Sequence, residues 1–255
     1  MNVLQAVKGP GPGSWGRMLR CEATMVVRDT AGMIVPLLLP LLILLTSASP
    51  ATAVVVHNGR TAFDIFVLPV VFVTVTAMTG MINMPSFLAY YRRSGILRRL
   101  SATPASPAMV LTAQGMVSMA QTLLGTALAL GSAVLLFGAS LPARPLAALG
   151  VFALAAAALY AAGGVVASLA PTPNSATAIG LVGFLGLGAA GGMFGGTAGL
   201  PEPIAALGAA LPFGAAVQAL SAAWAGTAVE PAWIISLVLA ALIGAGLSAL
   251  LFRWQ

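Results

Sequence analysis

The residues of this 255-residue chain best able to engage a charged partner gather in one run. Tyr91 to Pro107 reads YRRSGILRRLSATPASP, with Arg92, Arg93, Arg98 and Arg99 inside eight residues around Gly95. Guanidinium groups bind carboxylates and phosphates through forked hydrogen bonds rather than making bonds themselves. Ile96, Leu97 and Leu100 stand between the arginines, Gly95 permits a turn, and Thr103, Pro104 and Pro107 stiffen the return. This order predicts a short amphipathic helix hung below a membrane, a docking element in form. Composition alone favours a competing reading, a basic loop held by anionic lipid headgroups.

Covalent catalysis has little to draw on. The five acids, Glu22, Asp29, Asp64, Glu202 and Glu230, are dispersed, and none lies at the centre of an apolar segment, where a proton-driven transporter usually keeps one. Cys21 and His57 are single, which excludes an internal disulfide framework, a cysteine-based metal cluster and a His-rich metal site, so no metal is expected. No G-x-x-x-x-G-K-[ST] phosphate loop occurs, so the chain is not expected to be an ATPase or to carry a cofactor of its own.

The elements that must position the arginine run follow from composition. Hydrophobic residues make up 60% of the chain, charged ones 6%, and the mean hydropathy is +1.03. Soluble domains carry about a quarter charged residues. The fold class is therefore an all-α membrane protein, with six transmembrane helices of about 20 residues or more. The formal charge of +6 is scattered between apolar blocks and reads as topology, not as a nucleic-acid surface.

Residues 1–13, ending in Gly9, Pro10, Gly11, Pro12 and Gly13, form an expected flexible tail, and 14–255 form one six-span transmembrane domain. From Ser14 to Thr30, Trp15, Met18, Leu19, Met25 and Val26 share one helical face and Arg17, Arg20, Thr24 and Arg28 the other, as in a helix lying in the membrane interface. Glu22 and Asp29 project onto its apolar side, where an unpaired carboxylate is costly. With Arg28 they are the expected polar contacts of this helix, unless it is rotated and both acids are hydrated.

Spans are expected at 33–49, despite Pro36 and Pro40, and at 64–91, 108–137, 146–169, 176–194 and 232–252. The second, at 1.5 Å per residue, extends about 42 Å and outruns a hydrocarbon core of about 30 Å. Ala51, Thr52 and Ala53 resemble a signal-peptidase site, but the long structured segment before them argues that the first span is retained. Residues 199–231 are broken by Pro201, Pro203, Pro212 and Gly214, which predicts two short helices dipping into the outer interface, the alternative being a seventh span. On alternate sides of six spans, nine basic residues face Arg60 and Arg144. The positive-inside rule then places both termini in the cytoplasm.

The arginine run resembles the cytoplasmic loop between the second and third spans of ABC transporter permeases of the type-2 exporter family, in which a Gly-centred, Arg-containing stretch leads into Leu-Arg-x-x-Thr-Pro-x-Ser-Pro. Gly95, Leu97, Arg99, Leu100, Thr103, Pro104, Ser106 and Pro107 stand at the matching places. The amphipathic helix before span one and the stretch LPEPIAALGAALPFGAAVQAL, 200–220, resemble the family's interfacial helix and its extracellular helical segment before the last span. The resemblance runs from about Ser14 onward and is nearest to the daunorubicin-resistance, multidrug-efflux type. One departure stands out: where the family often has Glu just before the loop glycine, this chain has Arg92, Arg93 and Ser94.

The resemblance implies a permease subunit in a bacterial cell membrane, exporting a hydrophobic or amphiphilic compound. It also implies a second copy of the chain and a separate nucleotide-binding subunit that holds ATP and Mg. Arg92, Arg93, Gly95, Leu97, Arg98, Arg99, Leu100, Thr103 and Pro104 would form the ATPase-docking loop. If spans two and five face the symmetry axis, Met78, Asn83, Phe184, Leu187 and Met193 line the pathway; the bland reading sets them against lipid or core. Gly188, Gly192 and Gly196, spaced by four, would form a small-residue seam, within one chain or between two. The alternatives are a lipid-linked glycan exporter permease and a membrane scaffold or channel subunit without ATP coupling.

Overall fold

Proline marks where the helices begin, because the first helical position has no intrahelical partner for its N–H and proline has none to lose. The computed structural model describes residues 11–52, 54–96, 107–197 and 199–251. Helix α1 is Pro12–Arg28 and α2 is Thr30–Thr52. A hairpin of β1, Val55–His57, and β2, Arg60–Thr61, comes next, turning on Asn58 and Gly59 with positive φ of 48° and 72°. Then come α3, Phe63–Arg93; α4, Pro107–Phe137; α5, Pro145–Leu169; α6, Pro173–Ala190; α7, Glu202–Ala210; α8, Pro212–Ala225; and α9, Pro231–Leu251.

The chain is an all-α membrane protein. By length and composition α3, α4, α5, α6 and α9 can each cross a bilayer, and two bent pairs, α1 with α2 and α7 with α8, pass only when joined. Taking α2 as a span gives six. Helix α3 is the hub: 78% of its most apolar stretch is buried, against 11% for α9, which leans chiefly on α5 and, less, on α8.

Two π-helical segments interrupt α3, Phe63–Val67 and Met78–Asn83. Each stops two residues before a proline, Pro69 or Pro85, whose missing N–H breaks the regular ladder there. The second segment is also where other helices come closest. A Cβ on Gly163 of α5 would overlap the Gly80 carbonyl oxygen, and one on Gly180 of α6 would overlap that of Met81. Backbone contact is possible there only because these residues are glycine.

Two expectations change. The stretch before the last span is not simply interfacial: α7 and α8 meet at 79°, and α8 enters the core, with Phe213, Ala216, Leu220 and Trp224 buried against α3, α5 and α6. Its alanines let it approach closely, while Phe72 and Trp224, 5.3 Å between ring centroids, and Phe184 and Phe213, 6.4 Å, fill the remaining space. The glycine seam is also not a helix face. Helix α6 ends at Ala190, short of residue 194, and only Gly188 lies within it; Gly192 and Gly196 take φ of +86° and +89° in the turn beyond its end. Glycine is selected there by left-handed backbone, which the spacing of four had concealed. At the other terminus α1 already starts at Pro12, and the remainder of the expected tail, 1–10, lies outside the described residues.

Candidate functional site

At the end of α3 the sequence turns abruptly from apolar to basic, and here the arginine run begins. Tyr91 is buried on the inward face of α3 and donates its hydroxyl hydrogen to the Glu22 carboxylate on α1, a contact across 69 residues of chain. Val26, Met84, Phe87, Leu88 and Val110 make the surrounding wall apolar. Glu22 is 3% exposed, and this burial holds its carboxyl above the ordinary carboxylate range, a rise that the Tyr91 hydrogen bond only partly offsets. Asp29 is used differently: its Oδ1 accepts the Gly32 N–H at 3.1 Å and caps the start of α2. The partners of both acids are hydrogen-bond donors rather than cations, and Arg28 is exposed.

One residue after Tyr91, the Arg92 guanidinium donates to the carbonyl of Ala170, the C-cap of α5. A cation at a helix C-terminus satisfies an orphan carbonyl and opposes the helix dipole. Arg93 is exposed; Ser94 Oγ donates to the Tyr90 carbonyl at 2.8 Å, and Gly95 turns the chain with φ +69°. The rest of the proposed docking loop, Leu97, Arg98, Arg99, Leu100, Thr103 and Pro104, lies outside the described residues.

A second node sits one layer deeper. Pro36 has no N–H to offer the carbonyl four residues before it, that of Gly32. Asn83 Nδ2 of α3 and Gln121 Nε2 of α4 both donate to that oxygen, each at 2.7 Å, and Asn83 Nδ2 also reaches Gln121 Oε1 at 3.0 Å. The proline that breaks α2 thereby creates the acceptor that binds α2 to α3 and α4. Asn83, expected in the pathway, is a clamp residue in this chain.

Gln121 was not among the residues expected at a site. Its signal was present, since Gln114, Ser118, Gln121 and Thr122 recur on one face of the otherwise apolar α4, and all four are buried. Thr122 pairs with Tyr160 of α5 at 2.8 Å, while Gln114 Oε1 is buried without a partner among the described residues. The remaining pathway residues are interior: Met78 and Phe184 are buried in the main core, Leu187 packs against it, and Met193 folds back toward Gly188.

The opposite end of the bundle has its own polar cluster. Thr61 and Asp64 form a reciprocal cap on α3, with Thr61 N–H donating to Asp64 Oδ2 at 3.0 Å and Asp64 N–H to Thr61 Oγ1 at 3.3 Å. Asp64 Oδ1 accepts the Ser140 N–H at 2.8 Å, Trp224 Nε1 donates to the Ser140 carbonyl at 3.1 Å, and the Arg60 guanidinium donates to the Leu141 carbonyl. The hairpin, the α4–α5 loop and the end of α8 are thus tied together.

No curated protein sequence matches the chain. The family model described as ABC-2 family transporter protein matches residues 27–253, from the end of α1 through α9. Basic turn, amphipathic first helix and apolar bundle together with that match make the conclusion direct: the chain belongs to the ABC-2 transporter family and is a multi-pass membrane subunit of an ABC transporter.

Proposed function

We propose that this chain is the permease half of an ATP-driven exporter. It works with a separate ATPase subunit that holds ATP and Mg, and with a second copy of itself, to move a hydrophobic or amphiphilic compound out of a bacterial cell. The observation that carries this reading is the wiring of the basic turn. Immediately before Gly95, Tyr91 grips α1 and Arg92 grips the α5–α6 turn, so a partner that displaces the loop pulls on three helices at once. The nine-to-two distribution of basic residues supports a cytoplasmic position for that turn and for both termini. A hydrophobic cargo, and more narrowly a drug-efflux role in antibiotic resistance, rests on the resemblance of the arginine run to the daunorubicin-resistance type.

The test is Leu97→Asp with Leu100→Asp. It removes apolar docking area worth about 1.5 to 3 kcal/mol per side chain and places charge in the contact. The chain should insert normally, while the ATPase fails to copurify or loses transport-coupled hydrolysis. Unchanged copurification and transport would reduce the loop to a basic patch on lipid.

A further inference from the structure

The outward face of α1 meets the wiring of the basic turn only at Met25, whose Sδ lies 3.4 Å from the Tyr91 hydroxyl. Arg17, Arg20, Cys21, Thr24, Met25 and Arg28 line an open groove of about 380 Å³ along it. The three arginines are exposed and span about 16 Å of helix. No carboxylate shares this groove among the described residues. Glu22 is turned to the other face by Tyr91, Asp29 caps α2, and Asp64 sits at the far end of the bundle. A cationic strip left uncompensated in this way fits an anion.

The helix beyond Arg28 indicates which anion. Helix α2 departs at 61° and presents Ile34, Leu38, Leu42 and Leu45, each 45–51% exposed, as an apolar stripe that begins less than two turns beyond Arg28. Guanidinium groups on α1 and an exposed apolar stripe on the adjoining α2 match the two chemical halves of a phospholipid, phosphate and acyl chain. From this we infer that the α1 groove is a binding site for an anionic glycerophospholipid, with its phosphate held by Arg20 and Arg28 and its acyl chains lying along the exposed face of α2. Arginine suits the phosphate because its fork offers paired donors. A bound lipid of this kind would brace the α1–α2 elbow from outside while the Gly32 clamp holds it from inside.

Cys21, the only cysteine, lies in the groove and supplies the reporter. The full chain, labelled there with a polarity-sensitive fluorophore, is titrated with phosphatidylglycerol or phosphatidylcholine vesicles. Lipid retained through purification is identified by native mass spectrometry. The wild type should respond to and retain phosphatidylglycerol selectively. Arg20→Gln with Arg28→Gln should cut that selectivity about 30-fold, the scale expected for two basic residues near a charged surface. Arg144→Gln, at the other end, should leave it unchanged. Should the double variant misfold, a salt titration of the wild type decides: selectivity must fall as salt screens the charge. Equal retention of both lipids, salt-independent binding, or a double variant that keeps full selectivity would each overturn the site. So would a variant that sheds the ATPase yet retains its lipid, because the strip would then be a protein contact.

Discussion

At the hairpin end, the Asp64 carboxylate receives three donors, two from Thr61 and one from Ser140, and the Trp224 indole closes the same loop from above. At the α1 end, among the described residues, the Glu22 carboxylate has one donor, the Tyr91 hydroxyl, and Gln114 Oε1 of α4 has none. Both carboxylates are buried, so the difference lies in satisfaction rather than in solvent. A saturated polar network loses energy with any displacement, whereas an under-satisfied one gives up little and can gain partners by moving. Displacing the hairpin end therefore costs more hydrogen-bond energy than displacing the end that bears the arginine turn.

The largest effect should come from breaking the saturated end. Asp64→Ala strands the half-buried N–H groups of Thr61 and Ser140 and should destabilise the chain by about 2 to 3 kcal/mol. Asp64→Asn, which keeps one acceptor oxygen, should cost about half as much. Thermal unfolding of the detergent-solubilised protein measures both, and a neutral Asp64→Ala would erase the contrast between the ends.

A smaller loss is expected at the Gly32 clamp. Asn83→Leu with Gln121→Leu should cost about 1 to 2 kcal/mol, in line with interhelical hydrogen bonds in membranes. In a Pro36→Ala background the restored N–H can satisfy Gly32 itself, so the same pair of substitutions should cost clearly less. Equal costs in the two backgrounds would show that the proline does not create the acceptor.

The smallest effect concerns Glu22 and refines the contrast between the ends through pH. Burial raises its carboxyl, so the folded chain keeps a proton that the unfolded chain has already released. Stability from this group is full below the ordinary carboxylate range and is lost as pH rises through the higher folded value. Glu22→Gln should flatten that decline and leave the chain slightly more stable at neutral pH, as unfolding followed across a pH series would show. A wild-type stability that instead rises over this window would mean that Glu22 is well solvated.

Much of the architecture was legible in the sequence because hydropathy and proline report on single helices. Expected spans at 64–91, 108–137, 146–169 and 232–252 became Phe63–Arg93, Pro107–Phe137, Pro145–Leu169 and Pro231–Leu251. Burial of Glu22 against the bundle was readable for the same reason, since a carboxylate on an apolar face needs a partner. Its partner was not readable, because Tyr91 is 69 residues away and local spacing carries no such information. The clamp required knowing that Asn83, Gln121 and the carbonyl freed by Pro36 meet at one depth. The glycine seam misled because a period of four fits a helix face as well as a string of left-handed turns, and only backbone angles separate the two. The prolines of 199–231 did announce two short helices, Glu202–Ala210 and Pro212–Ala225, but not the burial of α8 in the core, which depends on helices distant in sequence.

An ATPase can act only on the side where ATP is, so coupling through the arginine turn stands or falls on which side of the membrane that turn occupies. In a Cys21→Ser background, exposed Arg93 and Arg144 are replaced singly by cysteine and intact cells are treated with a membrane-impermeant thiol reagent. A cytoplasmic turn predicts labelling at position 144 and none at position 93 until the membrane is breached; labelling at 93 with protection at 144 would place the turn outside and contradict it.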